Sequence, residues 1–316
     1  MSSTKEAYAF GPVQSRRFGS SLGLNTVPMK TCDYSCVYCQ LGPTIHRTIE
    51  RACYYRPQKV VEALRECLDR ARSEPDYVTF IGEGEPTLAA NLGEIVAKSR
   101  EVWKGKKALV TNGSLLHLPE VRESVKDFDV VSPTVSGADA FVFKRIHRPH
   151  PRISFDLVIQ GLLELGDVYD GSIWPEVMLV KDYNDSDRSI EGIGEILKKM
   201  APDKVFVSVP TRPPARKGVE PAGERAIERA MQTFPRAVDM TRPESVEFAQ
   251  SSEESVQHLL SIARFHPLRE DQAIAILKMG EEAEARELLA DLVSSGRIRA
   301  REFQGVRYYM SGPEPR

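Results

Sequence analysis

Cys32, Cys36 and Cys39 fall in the run Thr31-Cys-Asp-Tyr-Ser-Cys-Val-Tyr-Cys-Gln40, and their C-x3-C-x2-C spacing constrains this chain more than any other feature of it. Three thiolates so close together point to a metal site. A [4Fe–4S] cube takes four ligands, usually four cysteines. A three-cysteine loop therefore leaves one iron without a protein ligand, open to a small molecule.

Two other uses of the thiols compete with that reading. His46 lies seven residues beyond Cys39, so a structural Cys3His zinc site is an alternative, although zinc modules usually space their ligands as paired knuckles separated by a longer run. Structural disulfides fit less well. The cysteine count is five, an odd number, and no apolar signal segment opens the sequence, so a reducing cytoplasm is the expected compartment. Cys67 falls on the apolar side of a predicted helix, and Cys67 and Cys53 read as ordinary packed residues.

The residues around the cysteines carry a family resemblance. Gly11-Pro-Val-Gln-Ser-Arg-Arg17, Ser21-Leu-Gly-Leu-Asn25 and Cys32 through Gly42, followed by Gly84-Glu-Pro-Thr87, Thr111-Asn-Gly113, Phe143-Lys-Arg-Ile-His-Arg-Pro-His150 and Thr211-Arg-Pro-Pro-Ala215, resemble the radical S-adenosylmethionine (SAM) superfamily. The similarity spans about residues 8 to 215 and is to the branch grouped with the wyosine-type tRNA base synthases. It implies a [4Fe–4S] cluster on Cys32, Cys36 and Cys39 and SAM chelating the open iron. It also implies an external electron donor and a 5′-deoxyadenosyl radical that abstracts hydrogen from substrate. Wyosine-type enzymes carry a second cluster on additional N-terminal cysteines. No cysteine precedes Cys32 here, which counts against that particular reaction.

Periodicity agrees with the fold that the resemblance implies, a (β/α)6 partial TIM barrel. Short runs at Ser21–Asn25, Tyr77–Ile81, Lys107–Thr111, Val130–Val135, Pro175–Val180 and Val205–Val209 read as strands. Helices are expected near Gln58–Ser73, Leu92–Trp103, Leu118–Lys126, Ser154–Leu165, Arg188–Met200 and Gly223–Phe234, with Ser154 as an N-cap. Six such units are too few for a closed eight-unit barrel. With 316 residues, 41% of them hydrophobic, the chain can bury one large core plus a small extra domain. A net charge of −2 gives no global pull toward nucleic acid or an anionic membrane. No apolar run reaches the ~18 residues of a membrane helix.

In such a sheet, ligands gather at the carboxyl ends of the strands. After strand two comes Gly82-Glu-Gly-Glu-Pro86, which matches the family's Gly-Gly-Glu motif at Gly84 and Glu85 but has Glu83 in place of the first glycine. Either carboxylate, Glu83 or Glu85, is a candidate for the SAM ammonium. Asn112, after strand three, holds substrate or cofactor, or else simply makes an Asn-Gly turn. Thr134 and Ser136 suit the SAM ribose, or serve as plain strand residues. Lys181 is a catalytic candidate or a solvated strand-end lysine. Lys144, Arg145, His147, Arg148, His150 and Arg152, with Arg16, Arg17, Arg212 and Arg216, form a cationic rim that favours an anionic substrate: a nucleotide, a tRNA or a small acid.

Prolines crowd residues 210–221, and the barrel is expected to occupy 1–235, followed by a linker over 236–251 and a second domain over 252–316. Three helical patterns and a hairpin turning at Gln304-Gly305 give that second domain a winged-helix signature. Its third helix carries Glu281, Glu282, Glu284, Glu287 and Asp291 against Arg286, which phosphate would repel, while Arg297, Arg299, Arg301 and Arg307 make the wing basic. The module therefore either docks a protein or the barrel, or touches RNA backbone through the wing alone. Two substrate classes compete, a tRNA base, as the resemblance implies, and a protein, peptide or small anionic metabolite; a non-enzymatic iron–sulfur or zinc regulator is a further alternative, and a regulator would not cleave SAM.

Overall fold

The computed structural model describes residues 8–71, 73–242, 256–277 and 281–312. The larger portion runs β1 (Ala9–Ser15), β2 (Gly19–Leu24), β3 (Thr31–Cys32), β4 (His46–Arg47), α1 (Pro57–Arg70), β5 (Tyr77–Phe80), α2 (Leu92–Ser99), β6 (Lys106–Thr111) and α3 (Pro119–Val125). It continues through β7 (Val130–Pro133), α4 (Ala140–His147), α5 (Phe155–Val168), β8 (Ser172–Ile173), β9 (Glu176–Met178), α6 (Asp187–Met200), β10 (Val205–Ser208), α7 (Glu224–Thr233) and β11 (Ala237–Asp239). The smaller portion runs α8 (Val256–Phe265), β12 (Leu268–Arg269), α9 (Glu270–Leu277), α10 (Glu282–Ser294), β13 (Ile298–Phe303) and β14 (Val306–Ser311).

Two sheets, ordered β1-β2-β5-β6-β7-β8 and β11-β10-β9, form the wall. A parallel bridge between Thr134 and Glu176, with Val135 N donating to Glu176 O at 2.9 Å, joins them. From β2 onward the pairings are parallel, and β1 is added antiparallel at one edge. This is the α/β partial barrel expected from the strand–helix alternation. Side chains alternate across each strand: Leu22, Leu24, Val78, Phe80, Leu109 and Val131 join the helix-side core with Val60, Leu64, Leu92 and Ile95. On the other face, Ser21 Oγ and Thr79 Oγ1 share a hydrogen bond of 2.7 Å. Ser154 caps α5 by accepting from Leu157 N. The wall also carries β11, inside the expected linker, so it continues past residue 235; residues 243–251 of that linker lie outside the described residues.

The run of cations beginning at Lys144 opens on a helix. Residues 144–147 are helical, because Asp139 caps α4 by accepting from Phe141 N and Val142 N at 2.9 Å, and the helix ends only at left-handed Arg148 (φ 47). The smaller portion has its own core of Leu259, Ile262, Leu268, Ile276, Leu289 and Tyr309, and that core takes in Phe10 and Val13 from β1. Phe10 stacks on Phe265 with ring centroids 4.2 Å apart. Its sheet is ordered β12-β14-β13, and its hairpin turns at Gln304 (φ 51) and Gly305 (φ 73), the two positive-φ positions of a type I′ turn. Among the described residues no helix is long and apolar enough to cross a membrane.

Candidate functional site

Because the wall strands are parallel, the loops after β2, β5, β6 and β7 leave the same end, and backbone hydrogen bonds tie them together. Lys30 N donates to Glu83 O at 2.7 Å and Glu85 N to Thr31 O at 3.1 Å, which fixes the cysteine loop to the Gly82–Pro86 turn. Gly84 is required for that contact: a Cβ there would lie 1.7 Å from Thr31 O. On the other side, Val37 N donates to Ile146 O at 3.0 Å, Ser35 N to His147 O at 3.0 Å and His150 N to Asp33 O at 2.7 Å. The 144–152 segment therefore lies on the cysteine-loop face.

The three thiols sit half-buried. Cys32 Sγ accepts from Tyr34 N at 3.4 Å and has Asn112 Nδ2 at 3.8 Å, and Cys36 Sγ lies 3.4 Å from His147 Nδ1. Burial, then the neighbouring Asp33 charge for Cys32 and Cys39 for Cys36, pushes both thiols well up. Lys30 is buried and donates to Gly42 O. Burial lowers its pKa, while Cys39, Cys32 and Cys36 all oppose the shift, so its ammonium is within electrostatic reach of all three sulfurs. Among the described residues no three Cys, His, Asp or Glu groups converge as a single ion demands. A cube, which takes one thiolate per iron, asks for no such convergence, and three soft sulfur donors, with N–H groups aimed at that of Cys32, fit it.

Beneath the loop lies a buried polar network. Glu85 Oε1 accepts from Thr87 N (3.0 Å), Thr87 Oγ1 (2.6 Å) and Thr111 Oγ1 (2.6 Å), and Oε2 accepts from Asn112 N (2.7 Å). Asn112 Nδ2 donates to Asp33 Oδ1 at 2.6 Å, and Ser114 Oγ donates to Asp33 Oδ2. Burial, followed by the Glu85 charge, pushes the Asp33 carboxyl up to about 7; burial also raises Glu85. The network fastens the residue after Cys32 to the end of β6.

Several sequence candidates sit elsewhere than expected. Glu83 is 1% exposed in its side chain and is gripped by Arg264 of α8, Nε to Oε1 at 2.6 Å and Nη2 to Oε2 at 3.0 Å, with Asn25 Nδ2 at 3.2 Å. Ser136 is fully buried and its hydroxyl accepts from Met178 N at 3.0 Å, linking the strands, while Thr134 is half-buried. Lys181 is exposed and paired with Glu220 at 2.7 Å, a solvated ion pair. His147 is buried, and burial lowers its pKa to about 3, so it is neutral and drops out of the cationic rim. Arg16 and Arg17 also leave the rim. Arg16 reaches Met240 O and Arg242 O, and Arg17 enters the barrel interior.

Asp33, Lys30, Ser114 and Arg264 escaped sequence reasoning as site residues, and His147 was read as a rim cation and not as a neighbour of Cys36. Asp33 had a signal in its place beside Cys32, and His147 had one in lying four residues after the apolar Phe143 on one helix. For Arg264 there was none.

Residues 26–191 match the Radical SAM superfamily, and the chain belongs to it. The chain is thus an enzyme of the class that uses a [4Fe–4S] cluster and SAM. Among its relatives is a UPF0026 protein of Methanocaldococcus jannaschii, 33% identical over 98% of this chain and 97% of that one. The fold is shared with a radical SAM methyltransferase from Sphaerobacter thermophilus (TM-score 0.55, 15% identity, 71% of this chain and 67% of that one). It is also shared with Streptococcus suis SuiB bound to S-adenosylmethionine (TM-score 0.52, 16% identity, 70% and 50%).

Proposed function

We propose that Cys32, Cys36 and Cys39 ligate the cluster, and that the Gly82–Pro86 turn receives the methionyl ammonium of SAM to serve radical chemistry on an anionic substrate. The observation that carries this reading is the backbone lacing of the cysteine loop to that turn, which brings a thiol triad and a buried carboxylate to one end of a parallel wall. Bound cluster and SAM supply a carbon-centred oxidant by reductive cleavage of a sulfonium carbon–sulfur bond.

The chain's own residues prepare the site. Glu85 Oε1 is saturated by three donors, but Oε2 takes only Asn112 N and keeps an acceptor position for an ammonium. Asn112 and Ser114 hold Asp33 and so set where Cys32 stands; Asn112 is a positioning residue in this scheme. Thr134 is the strand-four hydroxyl that remains for the ribose. Lys144, Arg148 and Arg152, exposed on the cysteine-loop face, attract an anion.

The helix–strand–helix–helix–strand–strand order of the smaller portion fits a winged helix that closes on the barrel. Arg264 grips Glu83, Arg212 bridges Gln40 and His266, and the wing's Arg301 donates to Pro214 O at 2.9 Å. That last contact favours docking over RNA binding, and it weakens the tRNA-base reading of the substrate.

Anaerobically reconstituted protein is expected to be brown, to hold about four irons per chain and to cleave SAM when reduced. Cys36→Ala is expected to lose colour and cleavage together. A colourless protein with one zinc per chain would overturn the reading.

A further inference from the structure

Arg17 belongs to the turn between β1 and β2, at the end of the barrel away from the cysteine loop, yet its guanidinium lies inside the wall. Nη1 donates to Ser132 Oγ at 2.8 Å, and Nη2 lies 3.2 Å from Glu176 Oε2. Each partner is itself fixed. Ser132 Oγ gives its proton to Trp174 O at 2.6 Å, leaving only acceptor capacity toward Arg17. Ser208 Oγ donates to Glu176 Oε1 at 2.7 Å. Turn, β7, β9 and β10 thus contribute one group each to a constellation on the concave side of the wall. Below it lies an apolar layer of Phe18, Ala108, Val110, Val130 and Trp174. Above it lies Tyr38 of the cysteine loop, packed against the same apolar cluster as Met178 of β9.

An interior ion pair is weak evidence for stability, because desolvation offsets its attraction. Here both side chains keep 14% exposure, so they are mostly desolvated but still reachable. A guanidinium has five N–H donors; the contacts above use Nη1 and Nη2 once each, and the other three donors have no hydrogen-bond partner among the described residues.

We propose that Arg17 anchors a carboxylate carried by the substrate, with Ser132 and Glu176 as positioning residues that hold its fork toward the barrel interior. This rests on the radical SAM reading of the mouth and names the substrate class for it. Depth selects the ligand: the phosphodiester backbone of an RNA would stay outside the wall, whereas a group that reaches the floor belongs to the reacting molecule. Charge and shape select it further. A planar monoanion matches the fork in two parallel hydrogen bonds, and Glu176 repels a phosphate dianion more than a carboxylate. The substrate is accordingly a small carboxylic acid, an amino acid or a chain-terminal carboxylate.

The test uses the reconstituted holoenzyme under anaerobic conditions, labelled with phenylglyoxal and read at individual arginines by peptide mass spectrometry. Acetate and malonate at ~10 mM are expected to slow labelling of Arg17 about threefold or more, a millimolar single-contact affinity. Inorganic phosphate is expected not to do so, and exposed Arg100 serves as the unaffected reference. Ser132→Ala is expected to raise the malonate concentration for half-protection about fivefold, the effect of one hydrogen bond. Absence of carboxylate protection, or equal protection by phosphate, overturns the assignment. SAM cleavage by the same preparation separates the two readings. Cleavage without protection removes the Arg17 proposal alone, and a cluster-loaded protein that never cleaves SAM removes both.

Discussion

Replacing Arg264 with Ala would leave Glu83 as a carboxylate 1% exposed in its side chain, with its main cationic partner gone. Removing one member of a fully buried pair costs about 3–5 kcal/mol. Arg264 is 19% exposed, so water can enter the vacated space, and Asn25 Nδ2 still donates at 3.2 Å. These two effects reduce the expected loss to about 2–3 kcal/mol. Urea unfolding of iron-free protein measures it, as a lower midpoint at unchanged slope. Because the penalty is the stranded charge, Glu83→Gln on top of Arg264→Ala should return half of the loss or more. A single variant within about 0.5 kcal/mol of the unaltered protein, or a double variant no better than the single, would show that the clamp does not hold the smaller portion onto the barrel.

Gly84→Ala should disturb the cysteine loop directly, since its methyl would sit 1.7 Å from Thr31 O and 2.7 Å from Thr31 C, both backbone atoms; iron uptake on reconstitution, read at the cluster absorption band, should fall at least severalfold. RNA association should be absent at physiological salt, because Arg301 is spent on Pro214 O and α10 is acidic; a salt-sensitive complex in a filter-binding titration, abolished by changing Arg297, Arg299 and Arg301 to Glu, would restore the wing as an RNA contact.

What could be read from the residues was local. Six strand runs and their intervening helices follow from period-2 and period-3.6 patterning, as does the Ser154 cap, and the Gln304-Gly305 turn follows from its dipeptide. The thiol triad needs only spacing. Helix α4 was hidden because its exposed face carries Lys144 and Arg145 and resembles a charged loop, while Val142, Phe143, Ile146 and His147 point inward. Arg17, Arg264 and Glu83 were illegible for a different reason. Their partners are far away in the chain, and nothing in the neighbourhood of a single arginine says whether it ends in solvent, in a barrel or on another module. Ser136 and Lys181 show the converse: residue type and strand position suggested ligand contacts, and what could not be read was that the one is buried against Met178 N and the other paired with Glu220.

The stacking of Phe10 on Phe265 has a consequence for biosynthesis. At roughly 5–20 residues per second, the strand bearing Phe10 leaves the ribosome tens of seconds before its partner helix. During that interval the wall can fold, but the apolar side of β1 that later joins the smaller core stays uncovered. Arg264 has not yet been made, so Glu83 has no clamp beside the cysteine loop. Nascent chains therefore pass through a stage in which the apolar side of β1 is exposed and Glu83 lacks its cation.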